Sequence, residues 1–314
     1  MTQPGQKVRK LSLRWLWWVV LAIMVLLTAL YGGASWYLAN QVTLAERKAL
    51  EASPADFGLA FQDVEFPSRR GDVQLKGWYV PARDTAQDTV IMVHGINSNR
   101  ADVTIGLVEI AGDLSQRGFN VLMIDLRGHG ESGGTQVSGG YYEREDVLGA
   151  FDFLLVRGVP SERIGLLGYS LGAAVSLLAA VEEPRIHAVV ADSPFADISD
   201  LIVGETRKRT DAPAWMVPSL VPGMEVAARA FYGIDMGALV PVKVVPKLDY
   251  PVLLVHGTAD QRILPSHSVQ LKAASRNPDT QLWLVDGVEH VKAYRSAPKE
   301  YIDRVAGYFQ KRLG

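Results

Sequence analysis

Six short, nearly continuous apolar runs, separated by helix-like segments, constrain the fold of this chain more than any other feature. A strand that is buried on both faces carries apolar residues at successive positions, because neither face meets water. The runs are Thr89 to Val93, Asn120 to Ile124, Ile164 to Leu167, Ile186 to Val190, Val252 to Val255 and Gln281 to Val285. The helices that alternate with most of them are predicted at Ala101 to Arg117, Tyr142 to Val156, Leu171 to Glu183, Ser266 to Ser275 and Pro298 to Leu313. This alternation predicts an α/β fold, with a mostly parallel twisted sheet and helices on both faces.

Two features modify this simple alternation. The loosely alternating runs Phe61 to Phe66 and Val73 to Val80 flank a turn-like segment, which predicts an antiparallel N-terminal hairpin at one edge of the sheet. A proline-rich interval at about 195–250 then separates two of the predicted strands. A long insertion on a compact sheet usually has a function, so we expect a cap that shapes a substrate pocket, with plain surface packing as the alternative. Its basic cluster, 207–209, is interpreted as a solvated face rather than a site for an anionic lipid headgroup.

The N-terminal region has the composition of a membrane anchor. No charged side chain occurs from Trp15 to Ala45, and residues 15–38 are long enough to cross a bilayer as a helix. Aromatic residues cluster at both ends of this segment, as they do at the two membrane surfaces. Four cations precede it, so the positive-inside rule predicts that residues 1–14 are cytoplasmic and that the rest of the chain lies outside the cytoplasm, at the cell membrane.

Two alternatives compete with the anchor. A cleaved signal peptide would use small residues such as Gly33 and Ser35 near its cleavage site, and a core helix would be buried. The length of the charge-free stretch and the aromatic residues at its ends favour the anchor. Residues 39–60 are then predicted to be a stalk that is partly helical over Leu44 to Glu51, and residues 61–314 to form the α/β domain.

The pentapeptide Gly168-Tyr169-Ser170-Leu171-Gly172 lies between a predicted strand and a predicted helix. Strand, sharp turn and helix with a serine at the apex is the context of a nucleophile elbow. The apex serine is usually held at a strained positive φ, which requires small residues two positions away on each side. The pattern therefore predicts Ser170 as a nucleophile, against the alternative of a helix N-cap serine.

A serine nucleophile needs a base, and the base needs an acid that orients it. In this architecture the chain order is serine, then acid, then histidine, each at a strand end. Asp260 and His290 follow the last two predicted strands in that order. Asp192, at the end of an earlier strand, is the competing acid, and the chain order favours Asp260.

The oxyanion that forms during acyl transfer needs two N–H donors already in place. Leu171 offers its backbone N–H at the start of a helix. The second donor is predicted to be the backbone N–H of Ile96, in the turn after the Thr89 to Val93 strand.

Together these motifs resemble the α/β-hydrolase superfamily, in particular bacterial membrane-anchored members related to monoglyceride lipases, acyl-protein thioesterases and serine aminopeptidase-like hydrolases. The stretches that carry the resemblance are His94 to Asn99, Asp125 to Ser132, Gly168 to Gly172, His256 to Asp260 and Gly287 to His290. The resemblance implies Ser170 as nucleophile, Asp260 as acid, His290 as base, Ile96 and Leu171 as oxyanion donors, and neither a metal nor an organic cofactor.

Composition excludes several other functions. The chain has no cysteine, which rules out thiol catalysis and zinc bound by cysteine. A net charge of -2 shows no basic excess, so nucleic acid is not expected as a partner. His94 and His256 are interpreted as structural residues, and His129 as part of a glycine-rich turn.

The leading hypothesis is a serine hydrolase that cleaves esters or thioesters through an acyl-enzyme, with acyl lipids favoured because the anchor holds the site near a bilayer. The first alternative is a serine peptidase or aminopeptidase. The cap carboxylates Glu205, Asp211, Glu225 and Asp235 are candidates to hold a substrate ammonium. The second alternative is a membrane-tethered binding module without catalysis. A long apolar pocket would favour acyl lipids, and a short acidic pocket would favour amines or peptides.

Overall fold

The computed structural model describes residues 14–83, 88–213 and 215–313, and the first thirteen residues of the predicted cytoplasmic segment lie outside this part. The strands of the described part are β1 (Gln62–Pro67), β2 (Gln74–Val80), β3 (Thr89–Val93), β4 (Asn120–Ile124), β5 (Ile164–Tyr169), β6 (Val189–Asp192), β7 (Leu253–Gly257) and β8 (Gln281–Val285). The helices are α1 (Arg14–Thr43), α2 (Leu107–Gln116), α3 (Glu143–Val156), α4 (Leu171–Glu182), α5 (Ser199–Arg209), α6 (Val217–Tyr232), α7 (Pro241–Val244), α8 (Ser266–Ala274), α9 (Ala293–Ser296) and α10 (Pro298–Leu313).

These strands form one mixed sheet in the order β1-β2-β4-β3-β5-β6-β7-β8. The strands from β3 to β8 run parallel, while β2 is antiparallel to both β1 and β4. A separate apolar cluster packs on each face of the sheet, which is why the central strands are apolar at successive positions. The predicted α/β fold and its antiparallel N-terminal hairpin are confirmed.

Two predicted elements begin three or more residues later than expected. The strand predicted at Ile186 to Val190 begins only at Val189, because the Ile186 N–H closes a turn on the Glu183 carbonyl. The helix predicted from Ala101 begins only at Leu107. The Asp102 carboxylate accepts hydrogen bonds from the backbone N–H groups of Thr104 and Ile105, and this local pairing competes with helical pairing.

The N-terminal helix is longer than the sequence pattern predicts. α1 continues to Thr43, past the predicted end of the membrane segment at residue 38. Its side chains are exposed from Arg14 to Gly33, and from Ser35 onward several of them are buried against the α/β domain. At 1.5 Å per residue, the exposed part is about 30 Å long, which is the thickness of the bilayer hydrocarbon core.

The predicted stalk is therefore not a free linker over residues 39–60. Residues 45–53 have no regular secondary structure, so the helix predicted over Leu44 to Glu51 was wrong. The segment forms hydrogen bonds with the α/β domain rather than within itself. The Arg47 guanidinium donates to carbonyls of the 129–134 turn, and the Asn99 amide donates to the Lys48 and Ala49 carbonyls. These long-range partners compete with the helical hydrogen bonds that the local sequence favours.

Helices α5 and α6 occupy the insertion at about 195–250. They pack against α1 through a small apolar cluster that includes Leu38, Ala39, Ile202 and Met224. α1 and α6 approach closely, since a Cβ placed on Gly223 would lie 2.7 Å from Ser35 Cβ. The insertion thus covers the carboxyl ends of the parallel strands together with the end of α1.

Candidate active site

Ser170 stands at the apex of a tight turn between β5 and α4. Its backbone has φ 54° and ψ -116°, a conformation that L-residues rarely adopt. The chain can turn here only because its two flanking glycines have no side chain. A methyl group on Gly168 would lie 2.6 Å from Ala173 Cα, and one on Gly172 would overlap the backbone carbonyl oxygens of Val93 and His94. The elbow geometry predicted from the pentapeptide is therefore present.

We expect the substitution Gly172→Ala to lower the free energy of unfolding by about 3 kcal/mol, because the added methyl overlaps backbone atoms that cannot move independently. Urea unfolding followed by tryptophan fluorescence in detergent would measure it. The matched control is Gly307→Ala in α10, where the added methyl meets nothing within 4 Å. This control should gain up to about 1 kcal/mol, because alanine restricts the unfolded chain. Equal stability of the two variants would contradict the close approach at the elbow.

A chain of hydrogen bonds joins Ser170, His290 and Asp260. Ser170 Oγ lies 2.9 Å from His290 Nε2, and His290 Nδ1 lies 2.6 Å from Asp260 Oδ2. A carboxylate only accepts hydrogen bonds, so Nδ1 carries the proton and Nε2 is free to accept the hydroxyl proton of Ser170. The structure thus brings together the three residues that the sequence pattern singled out, each just past the end of a strand.

The environment of Asp260 favours its charged form. Burial alone would raise the pKa of this carboxyl group, but hydrogen bonding to His256 and His290 and to the backbone N–H of Ile263 lowers it well below its usual range. Asp192, the competing acid, is also buried, and its carboxylate accepts a hydrogen bond from the Ser193 hydroxyl. Burial raises the pKa of Asp192 to about 6. His290 Nδ1 therefore faces the more acidic of the two carboxyl groups.

Ile96 and Leu171 both line the cavity together with Ser170. The turn that carries Ile96 packs closely on the serine, since a methyl group on Gly95 would lie 3.1 Å from Ser170 Cβ. Leu171 is the first residue of α4, where backbone N–H groups have no partner within the helix. The assignment of these two backbone N–H groups as oxyanion donors stays a prediction.

Two buried neutral histidines hold the Ile96 turn in place. His94 accepts a hydrogen bond from the Leu126 N–H on Nε2 and donates from Nδ1 to the Gly95 carbonyl. His129 accepts from the Asn97 N–H on Nε2 and donates from Nδ1 to the Arg127 carbonyl. Burial lowers the pKa of each imidazole to about 4, so both stay neutral and keep these roles near pH 7. His129 thus does more than occupy a turn, because it fixes the residue that follows Ile96.

Backbone strain is concentrated around Ser170, His290 and the turn that carries Ile96. In the described ranges, the non-glycine residues with positive φ are Asn97, Ser170, Ser193 and Val291. Asn97 follows Ile96, Val291 follows His290, and the Val291 N–H donates to Ser193 Oγ at 3.3 Å. Residues in such conformations persist only where their surroundings enforce them, and they cluster at functional sites.

Ser170 opens into a cavity with about 890 Å³ of empty space, including its open mouth. The cavity lies under the insertion, and most of its lining is aliphatic. Among the described residues that line it, Glu205 and Arg262 are the charged ones. Further lining residues are Ala39, Val42, Val137, Phe195, Ile198, Leu201, Ile202, Met224, Ala228, Ile234, Met236, Leu239 and Ile263.

Of the four cap carboxylates considered for binding an ammonium group, only Glu205 lines the cavity. It lies 2.9 Å from Lys208 Nζ and 3.3 Å from the Arg262 guanidinium. Burial would raise the pKa of Glu205, but these two cations hold it below its usual value. The carboxylate is thus ionised and already paired, and the cavity is apolar rather than acidic.

The basic cluster at 207–209 is not simply a solvated face. The Arg209 guanidinium donates to the Val42 and Leu44 carbonyls at the end of α1, and to Asn97 Oδ1 at 2.6 Å. A cation at a helix C-terminus is stabilised by the unpaired carbonyl groups there. Arg209 therefore connects the N-terminal helix, the cap and the turn that carries Ile96.

The contribution of α1 to the cavity was not predicted from the sequence. One available signal was that no glycine or proline interrupts the chain between Gly33 and Pro54, so nothing in the sequence required the helix to end at residue 38. The role of Arg209 left no such signal, because its partners lie far away along the chain.

This chain is similar to several known proteins and matches the model of one protein family. The model of the family described as serine aminopeptidase, S33, matches residues 84–241. The uncharacterized protein YqkD of Bacillus subtilis is 29% identical over 248 residues, which cover 76% of this chain and 78% of that protein. The uncharacterized protein YfhR of Escherichia coli K12 is 30% identical over 242 residues, which cover 74% of each.

Among solved structures, the esterase Pf2001 of Pyrococcus furiosus is similar to this chain, with a TM-score of 0.70 and 26% sequence identity. The match covers 86% of this chain and 100% of that structure.

Proposed function

Because this chain belongs to the α/β-hydrolase superfamily, within the family described as serine aminopeptidase, S33, we propose that it is a membrane-anchored serine hydrolase of carboxylic esters or thioesters. The observation that carries the proposal is the hydrogen-bonded series Ser170, His290 and Asp260 at an apolar cavity. The similarity to an esterase from Pyrococcus furiosus supports the same reaction class.

In the proposed mechanism, His290 Nε2 accepts the Ser170 hydroxyl proton as Oγ attacks the substrate carbonyl carbon. The backbone N–H groups of Ile96 and Leu171 stabilise the negative oxygen of the tetrahedral intermediate. His290 then gives the proton to the leaving alcohol or thiol, and the acyl group stays on Oγ. In the second half, His290 takes a proton from water, whose oxygen attacks the acyl carbon. The bond to Ser170 Oγ then breaks, the acid leaves, and His290 returns its proton to Oγ. Asp260 holds the tautomer of His290 and stabilises its charged form.

Two features support an acyl substrate over a peptide amine. The cavity lining is mostly aliphatic, and the carboxylate among its described residues, Glu205, is paired with two cations. An ammonium group would lose its hydration there without a free partner, which costs several kcal/mol. An alkyl chain would lose unfavourable contact with water instead. The aminopeptidase activity named in the family description is therefore the second candidate.

We propose that α1 is the membrane anchor and that the catalytic domain lies outside the cytoplasm. The helix is long and apolar enough to cross a bilayer, and its apolar part is exposed in the structure. The cationic residues that precede it favour this orientation. The active site would then lie beside the membrane surface, where acyl lipids are concentrated.

A substrate panel tests the reaction class. We expect full-length protein in detergent to hydrolyse p-nitrophenyl butyrate with a kcat/KM at least about 100-fold above that for leucine p-nitroanilide, because the apolar cavity penalises a buried ammonium. Release of nitrophenol or nitroaniline reports both rates. Faster hydrolysis of the anilide, lost on Glu205→Gln substitution, would contradict the esterase and support the peptidase. Absence of both activities, and of labelling by a fluorophosphonate, would support the binding module.

A further inference from the structure

We propose that the last two turns of α1 are part of the site that binds the acyl chain, so that the membrane helix itself sets which acyl groups the enzyme accepts. This inference rests on the function proposed above. It assigns to Ala39, Val42 and Thr43 a role in substrate selection in addition to anchoring.

The three side chains form one wall of the cavity whose floor holds Ser170 and Leu171. Ala39 and Thr43 are buried and Val42 is half-buried. They lie on one face of the helix, since positions three and four residues apart are neighbours on a helix surface. α5 and α6 contribute Ile202 and Met224 to the same lining, where they pack beside Ala39. An acyl chain bound to Ser170 would thus contact both α1 and the cap.

The position of this wall is fixed by specific contacts. Arg209 binds the carbonyl groups of Val42 and Leu44. The hydroxyl group of Tyr232 in α6 donates to Asn40 Oδ1 at 2.7 Å. One and two turns earlier the helices touch closely at Gly223 and Ser35, and the Tyr31 hydroxyl donates to the Ser219 carbonyl. These contacts hold the end of α1 in a single arrangement against the cap, as a wall of a selective site requires.

The wall begins where the exposed part of α1 ends. Side chains before Ala34 are exposed over the length of a hydrocarbon core, although Tyr31 already contacts α6, and burial begins at Ser35. In the proposed orientation, the acyl site is therefore within one or two helical turns of the bilayer surface.

The test replaces Val42 with tryptophan in the full-length protein and compares p-nitrophenyl laurate with p-nitrophenyl acetate in one detergent. The indole ring would occupy the space of a long acyl chain near α1, whereas an acetyl group stays close to Ser170. We expect the laurate-to-acetate ratio of kcat/KM to fall by about tenfold or more. Phenylalanine is smaller than tryptophan, so the Val42→Phe substitution should lower the same ratio by a smaller factor. This variant replaces Val42→Trp in the test if the tryptophan variant does not fold.

The matched control is Gly33→Trp. Gly33 is nine residues before Val42, which places it on the opposite face of the helix, and a side chain there meets nothing within 4 Å. This variant should keep the wild-type ratio. If both Val42 variants fold and keep the wild-type ratio, the inference is overturned. If the wild-type protein hydrolyses neither ester, the proposed function itself fails, which is a separate and recognisable outcome.

Discussion

Replacing Ser170 with alanine should lower kcat for p-nitrophenyl butyrate by about 10⁴- to 10⁶-fold, the largest effect we expect from a single substitution. Removal of the nucleophile ends the acyl-enzyme route and leaves only the contribution of binding and of the oxyanion donors. The loss should appear in kcat more than in KM, because the hydroxyl acts on the reacting carbonyl. Covalent labelling by a fluorophosphonate should disappear in the same variant.

Ser176→Ala is the matched control for this substitution. Ser176 lies in α4, the helix that follows Ser170, is also buried, and donates to the Gly172 carbonyl rather than to His290. Its variant should keep labelling and kcat within a few-fold of wild type. If the Ser170→Ala protein is labelled as well as wild type, another residue is the nucleophile and the proposed mechanism is wrong.

The second large effect distinguishes the two buried acids. Asp260→Asn should lower kcat by about 10⁴-fold, because an amide N–H facing His290 Nδ1 would favour the tautomer with its proton on Nε2. That tautomer cannot accept the proton of Ser170. Asp192→Asn should lower kcat by less than about tenfold, since the Asp192 carboxylate accepts a hydrogen bond from Ser193 and His290 Nδ1 bonds to Asp260 instead.

Steady-state kinetics of both variants, with circular dichroism to check folding, would make this comparison. Both side chains are almost fully buried, so circular dichroism separates a variant that fails to fold from one that folds and has lost activity. A larger loss of kcat in Asp192→Asn than in Asp260→Asn would show that Asp192 is the acid and would contradict the proposed role of Asp260.

The fold could be predicted from local sequence because buried strands and amphipathic or apolar helices have distinct periods. β3, β4 and β8 begin and end at the predicted residues, as does α10. Boundaries failed where side chains or distant backbone groups competed with local pairing, as at Asp102 before α2 and at the turn before β6. The helix expected at Leu44 to Glu51 failed for the same reason, since Arg47 and Asn99 pair this segment with the domain.

Much of the candidate site could also be predicted. Ser170, Asp260 and His290 follow strands that end at one edge of the sheet, so their order along the chain already implied that they meet. The supporting residues were harder to find. His129 and Arg209 act through hydrogen bonds to Asn97, which lies 32 and 112 positions away along the chain. Contacts at such separations leave no periodic pattern in the sequence.

By itself the sequence determined the sheet, the elbow, the order of the three candidate catalytic residues and an N-terminal helix able to cross a membrane, because each depends on residue types at short or regular spacing. Only the tertiary structure decided that the Glu205 carboxylate is paired with two cations and that α1 continues into the wall of the cavity. These depend on where distant segments pack. The same residues Ala39 and Val42 would serve equally well in a free stalk, and only their burial against α5 and α6 makes them part of the candidate site.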